Sequence, residues 1–304
     1  MTTSALFQLP LHGQVYSDSL FDRCRGLVSY GVWAGIAPAR LDAWIANFKT
    51  PEERYFAAKV LDSLIYRSDI QTIALMRHLF SRVIPDYFRL ARPFLNVNNI
   101  YHSLRGNTDP GVRIVPVVPP NSSPGKSALT LARYLKRALK FNEAWIIYPH
   151  DIPSHIGPAH TFICFDDFLG TGFQFTDFAN DSLSPYWSAA NFAYASLAGH
   201  IDGIGTLQPA FPELHIMTVE RLGNSHALFH KDAAFFPDDV NDSVAAREFY
   251  YWLLEDRGID LTGPNRRGFG HFELTYAFEH SVPDNSLPIL WWDDSPKWTR
   301  LFDR

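Results

Sequence analysis

Two adjacent acids followed by a glycine–hydroxyl–glycine turn are the residues of this 304-residue chain best suited to chemistry. They lie in Phe162-Ile163-Cys164-Phe165-Asp166-Asp167-Phe168-Leu169-Gly170-Thr171-Gly172. The four apolar residues predict a buried strand, with Asp166 and Asp167 at its carboxyl end, where open α/β sheets bind ligands. Gly170, Thr171 and Gly172 form a turn without bulk. Such a turn lets backbone amides approach an oxyanion, and a helix after it adds its positive N-terminal end. The two carboxylates suit the vicinal hydroxyls of a ribose, each accepting one hydrogen bond. Asp238-Asp239 and Asp293-Asp294 are also paired acids, yet neither follows an aliphatic strand or precedes a small turn. Context separates the first pair from the others.

A second stretch, Pro119-Pro120-Asn121-Ser122-Ser123-Pro124-Gly125-Lys126-Ser127, joins a predicted strand to a predicted helix. Ser122, Ser123, Gly125 and Ser127 with free helix N–H groups, plus the Lys126 cation, suit a diphosphate; an ordinary capped turn is the plain alternative. Gly125-Lys126-Ser127 is also the end of a Walker A loop, so a degenerate P-loop NTPase is a rival reading. That loop needs glycine at position 120, where this chain has Pro120, which lacks the N–H the loop would use. His150, Asp151, His155 and His160 match no zinc spacing, and Pro149, Pro153 and Pro158 give a rigid connection, so no protein metal site is expected. Arg266 and Arg267 could meet a phosphate, and Trp291 and Trp292 could stack a base; surface arginines and a packed tail are the plainer readings.

The elements that must hold these residues follow from periodicity. Helices are expected from Pro38 to Phe48, from Pro51 with Thr50 as cap, and from Asp69 to about Leu90. The turn Asn107-Thr108-Asp109-Pro110-Gly111 marks a boundary. Beyond it strands are expected at Arg113–Val118, Ala144–Tyr148, Thr161–Phe165, Phe192–Leu197 and His215–Val219, with helices at Ser127–Leu139 and Ile201–Gln208. Strands alternating with helices predict an α/β fold with a parallel, doubly wound sheet. A helix at Val244–Leu254, a glycine loop and a strand at Phe272–Phe278 complete the chain. The expected division is 1–108 helical, 109–222 α/β core, and 223–304 a C-terminal α+β segment.

Hydrophobic residues at 46% and charged residues at 19% describe a globular chain, and a net charge of −5 gives no global pull toward nucleic acid. Cys24 and Cys164 are too few for a disulfide framework or a thiolate zinc site. No apolar run is long enough to span a bilayer, and Met1–Leu20 lacks the pattern of a signal peptide. A cytoplasmic location without membrane contact is the expectation.

The strand, the two acids and the small residues ending in Thr171-Gly172 resemble the ribose-phosphate motif of type I phosphoribosyltransferases. That resemblance implies a parallel sheet with helices on both faces and a hood-like C-terminal segment. It also implies Asp166 and Asp167 on ribose hydroxyls, and Phe168, Leu169, Gly170, Thr171 and Gly172 around a 5′-phosphate. Ser122 to Ser127 would take pyrophosphate, and Mg²⁺ would arrive bound to substrate. With the Leu41–Phe48 helix and the Pro283–Trp291 tail, the chain is similar to phosphoribosyltransferase-like conflict effectors of bacterial anti-phage systems. Some are encoded beside retron reverse transcriptases, so a reverse transcriptase, its DNA–RNA product or other defence proteins are implied partners. Transfer, cleavage of a nucleotide's glycosidic bond, and non-catalytic nucleotide sensing all fit the resemblance.

Overall fold

The computed structural model describes residues 7–91, 99–118, 127–157, 161–236, 240–259, 261, 265–293 and 296–303. In chain order its helices are α1 (Gly13–Ser29), α2 (Pro38–Ile45), α3 (Pro51–Asp62), α4 (Asp69–His78), α5 (Ile84–Ala91), α6 (Ile100–Ser103), α7 (Ser127–Arg137), α8 (Ile152–His155), α9 (Phe173–Phe178), α10 (Ile201–Ala210) and α11 (Ser243–Asp256). The strands are β1 (Ile65–Arg67), β2 (Val112–Pro116), β3 (Thr161–Leu169), β4 (Asn191–His200), β5 (His215–Leu222) and β6 (Tyr276–Phe278). Two compact units result, 1–69 with 223–304, and 70–222.

The first unit is built from both ends of the chain. Thr50 Oγ1 accepts from the Glu53 N–H at 3.2 Å and Pro51 takes the first helical position, so α3 starts where its sequence directs. The helix α1, not singled out by the sequence, turns Leu20, Phe21, Cys24 and Val28 inward and packs on α3. Phe7 stacks on Phe249 with ring centroids 4.6 Å apart, and Phe56 lies 5.4 Å from the same ring. Each such side chain contributes about 1.5–3 kcal/mol by leaving water. Trp44 Nε1 donates to the Ile289 carbonyl at 2.8 Å, Asn47 exchanges two hydrogen bonds with the Thr299 backbone, and β1 pairs in parallel with β6. The N-terminal region and the C-terminal segment, read separately in the sequence, therefore share one core, and the boundary read at 108 falls inside the second unit.

The expected strand at Phe272–Phe278 is shortened to β6. His271 and Glu273 have φ of 60° and 54°, left-handed values that break an extended run before Leu274. Arg267 Nη1 donates to the buried Glu273 carboxylate at 2.5 Å, and Arg266 lies over the Tyr251 ring at 4.3 Å and pairs with Glu255. Trp291 is buried and donates to the Ser286 carbonyl at 3.0 Å. These arginines and Trp291 are occupied within their own unit.

The second unit is a four-stranded parallel sheet in the order β2-β3-β4-β5, flanked by helices. A five-residue π-helical turn, Leu79–Val83, interrupts the expected Asp69–Leu90 helix between α4 and α5. It brings Phe80 edge-on to Phe165 at 5.5 Å. On the alternating positions, Tyr194, in register with Cys164, meets Phe175 of α9 at 4.3 Å. Residues of opposite parity thus meet helices on opposite faces. The expected strand at Ala144–Tyr148 does not form. Asn142 accepts from the Ala144 N–H at 3.0 Å and folds Glu143–Trp145 into a 3₁₀ turn, leaving one bridge, Ile146 to Ile114.

Candidate functional site

Asp166 and Asp167 lie inside β3 rather than after it. The strand was expected to end near Phe165 but runs to Leu169, pairing Asp166 with Ser196, Phe168 with Ala198 and Leu169 with Gly199. Both acids are buried, 4% and 6% exposed, and strand alternation sends them to opposite faces. The Asp166 Oδ1 atom accepts from the Asp167 N–H at 3.0 Å, and its Oδ2 from Gln174 Nε2 of α9 at 3.3 Å. Burial pushes the Tyr194 hydroxyl far up from its ordinary range. The Asp166 and Asp167 charges and a hydrogen bond to Asp166 add to the shift. Asp166 therefore sits in the carboxyl half of a parallel sheet with an amide and a protonated phenol directed at it, and Asp167 leaves β3 on the other face.

The turn follows directly. Gly170 and Thr171 are half-buried, and Gly172 is buried with φ +88°, a conformation that favours glycine, and opens α9. Thr171 Oγ1 lies 3.5 Å from the Phe173 N–H. Phe173 beside it is 59% exposed. The turn is backed by α10, whose Gly203 contacts the Gly170 carbonyl and whose Leu207 contacts Gly172.

Ser127 is the first residue of α7, which packs on β2 and β3. Ser122, Ser123, Gly125 and Lys126 lie outside the described residues, as does His160. Sequence reasoning missed His200, Ser196, Gln174 and Gly203. His200 ends β4, is buried, and caps α10 by accepting from the Asp202 N–H at 3.2 Å. Gly199-His200 at the end of an apolar run was its visible signal. Ser196, in register with Asp166, has no hydrogen-bond partner for its buried hydroxyl among the described residues. Burial pushes the Cys164 thiol well up, which disfavours its reactive thiolate. Among the described residues no three His, Cys, Asp or Glu side chains gather as a metal cage, and no helix is long and apolar enough to cross a membrane.

Residues 41–304 match the family model described as PRTase-CE. No curated protein matches the chain.

Proposed function

The chain belongs to the PRTase-CE family and is phosphoribosyltransferase-like, and from that premise we propose that it binds phosphoribosyl diphosphate or a related nucleotide and acts at the anomeric carbon of the ribose. The observation that carries the reading is β3, which delivers Asp166, Asp167 and the Gly170–Gly172 turn to the carboxyl half of a parallel sheet. Asp166 and Asp167 accept the ribose hydroxyls from either side of β3, the sugar lying across the strand's carboxyl end. The Phe168 to Gly172 backbone with Thr171 holds the 5′-phosphate, and Ser122, Ser123, Gly125, Lys126 and Ser127 hold the diphosphate. In the reaction the bond from C1 to diphosphate breaks, pyrophosphate leaves with the electron pair, and an acceptor nucleophile bonds to the oxocarbenium-like carbon. The protein's share is positioning, because the sugar must be fixed while C1 changes partners. A Mg²⁺ ion bound to the diphosphate would neutralise leaving-group charge. The Asp166 and Asp167 carboxylates are oxygen donors of the kind that suits an ion taking most of its oxygens from phosphate.

Calorimetry with phosphoribosyl diphosphate tests the site. Wild type should bind, and the Asp166→Asn, Asp167→Asn double variant should not. Wild-type affinity in the double variant, with its fold intact by circular dichroism, would remove the basis of the assignment.

The burial of both carboxylates, and the Gln174 bond already made to Asp166, favour a second reading as a non-catalytic nucleotide sensor. Pyrophosphate release measured by phosphorus NMR separates the two: an enzyme accumulates it and a sensor does not. We extend the enzymatic reading to a role as effector in a bacterial anti-phage system beside a retron reverse transcriptase and its DNA–RNA product. Its support is the resemblance of the Leu41–Phe48 helix and the Pro283–Trp291 tail to such effectors. Phage plaque counts on cells carrying the system with wild-type or doubly substituted protein test it; equal counts end that role.

A further inference from the structure

We infer that Gly203, in the first turn of α10, is a positioning residue that holds the Gly170–Thr171–Gly172 turn in shape and so sets affinity for the 5′-phosphate of the ligand. This rests on the sugar-phosphate reading above and adds to it a residue from a different element, 31 positions beyond Gly172 by subtraction of residue numbers.

A glycine inside a helix costs about 1 kcal/mol relative to alanine, so its presence needs a reason outside the helix. α10 contains two, Gly203 and Gly205. A Cβ on Gly205 would meet nothing within 4 Å, whereas one on Gly203 would lie 2.0 Å from the Gly170 carbonyl oxygen, 3.1 Å from the Gly170 carbonyl carbon and 3.1 Å from Leu169 Cγ. The obstructing atoms at Gly170 are backbone, which cannot swing aside as a side-chain tip can. The same helix meets the far end of the turn. A Cβ on Gly172 would lie 3.3 Å from the Gly203 carbonyl oxygen and 3.2 Å from Leu207 Cγ. Gly203 and Leu207 are one helical turn apart and share a face, so α10 touches the turn on both sides of Thr171. The helix is itself tied to the sheet. It begins at His200, whose strand neighbour Gly199 is in register with Leu169, the residue that launches the turn.

A side chain at 203 must therefore push the turn away from α10 or push α10 out of the sheet edge. A displacement of about 1 Å at a well-aligned site can cost up to ~100-fold in function. The same methyl group at 205 meets no atom.

The test compares Gly203→Ala with Gly205→Ala, using ribose 5-phosphate and inorganic pyrophosphate as separate calorimetric probes and thermal melting as the measure of fold. The expected result is ribose 5-phosphate binding weakened about tenfold or more in Gly203→Ala alone. Pyrophosphate binding should stay unchanged and the melting transition cooperative in both variants. Ribose 5-phosphate affinity equal to wild type in Gly203→Ala overturns the inference. So does an equal loss in both variants, or an equal loss for both probes, since a general disturbance of the helix or fold would give those results. Should Gly203→Ala not fold, Leu207→Val trims the contact at Gly172 without adding an atom. The same selective weakening is expected there, and unchanged affinity for ribose 5-phosphate overturns the inference. A wild type that binds no ribose 5-phosphate defeats the sugar-phosphate reading itself, and the positioning role falls with it.

Discussion

Glu53 and Arg257, 204 positions apart in the chain, form a buried ion pair in the first unit. The Glu53 carboxylate also accepts from the Lys49 N–H at 2.6 Å, and Arg257 Nε donates to the Asn47 carbonyl at 3.2 Å. The guanidinium at the end of α11 is thereby fastened to the start of α3. Arg257→Met leaves the Glu53 carboxylate buried without its guanidinium and should lower stability by about 3–5 kcal/mol, whereas Glu53→Gln leaves Arg257 its Asp256 and Asn47 partners and should cost less. Urea unfolding checks this; a loss under 1 kcal/mol in both would mean that the pair is not the tie it resembles.

Asp166→Asn alone should fold normally, because its amide oxygen can still accept from the Asp167 N–H while its NH2 donates to the carbonyl of a turned Gln174 amide. Its ligand affinity should fall by roughly 10- to 100-fold, the value of a hydrogen bond made to a charged acceptor. Calorimetry with phosphoribosyl diphosphate reads the change. A variant that unfolds instead would show that the carboxylate serves the sheet rather than the ligand.

Gly268 has φ +78°, and a Cβ there would lie 2.1 Å from the Asn285 carbonyl oxygen. Gly268→Ala should therefore cost at least about 1–3 kcal/mol from backbone conformation alone. Gly205→Ala, exposed and unobstructed in a helix, should gain about 0.5–1 kcal/mol. Melting temperatures of the two variants should move in opposite directions from wild type, and a shared direction would contradict the geometry.

Both thiols are protonated near neutrality. Burial pushes Cys24 up to about 11 and Cys164 further, and a thiol reacts as its thiolate. Raising an acid's pKa shifts its reactive form to higher pH, so native protein at pH 8 should label slowly with iodoacetamide. Denaturation should release both sites together. Mass spectrometry of the alkylated peptides follows this, and rapid native labelling of Cys164 at pH 8 would refute its burial.

The sheet was legible because its strands are unbroken apolar runs: Phe162–Phe165 and Phe192–Leu197 have no other stable place than a buried parallel sheet. Thr50-Pro51 was legible for a local reason, a cap followed by a preset φ. Asp166 and Asp167 were found by type and neighbours, but their position inside the ladder was not, because charge ordinarily ends a buried strand and here the register continues to Leu169. Ala144–Tyr148 misled because Ile146 and Ile147 have strand character while Asn142 ahead of them satisfies the backbone as a turn. Gly203 was invisible for the opposite reason: its significance lies in Gly170, which only the folded chain brings within reach.

The shared core of residues 7–69 and 223–304 has a consequence for biosynthesis. As the chain leaves the ribosome, α1 to α3 emerge first yet cannot bury Phe7, Phe56 or Trp44 until Phe249 and Ile289 are made. The α/β unit, by contrast, is continuous in sequence and can close while translation is still under way. A stop codon between residues 223 and 249 would therefore strip these partners from the oldest helices and leave the completed four-stranded sheet intact. Such truncated products should be recognised by proteases at their amino-terminal end.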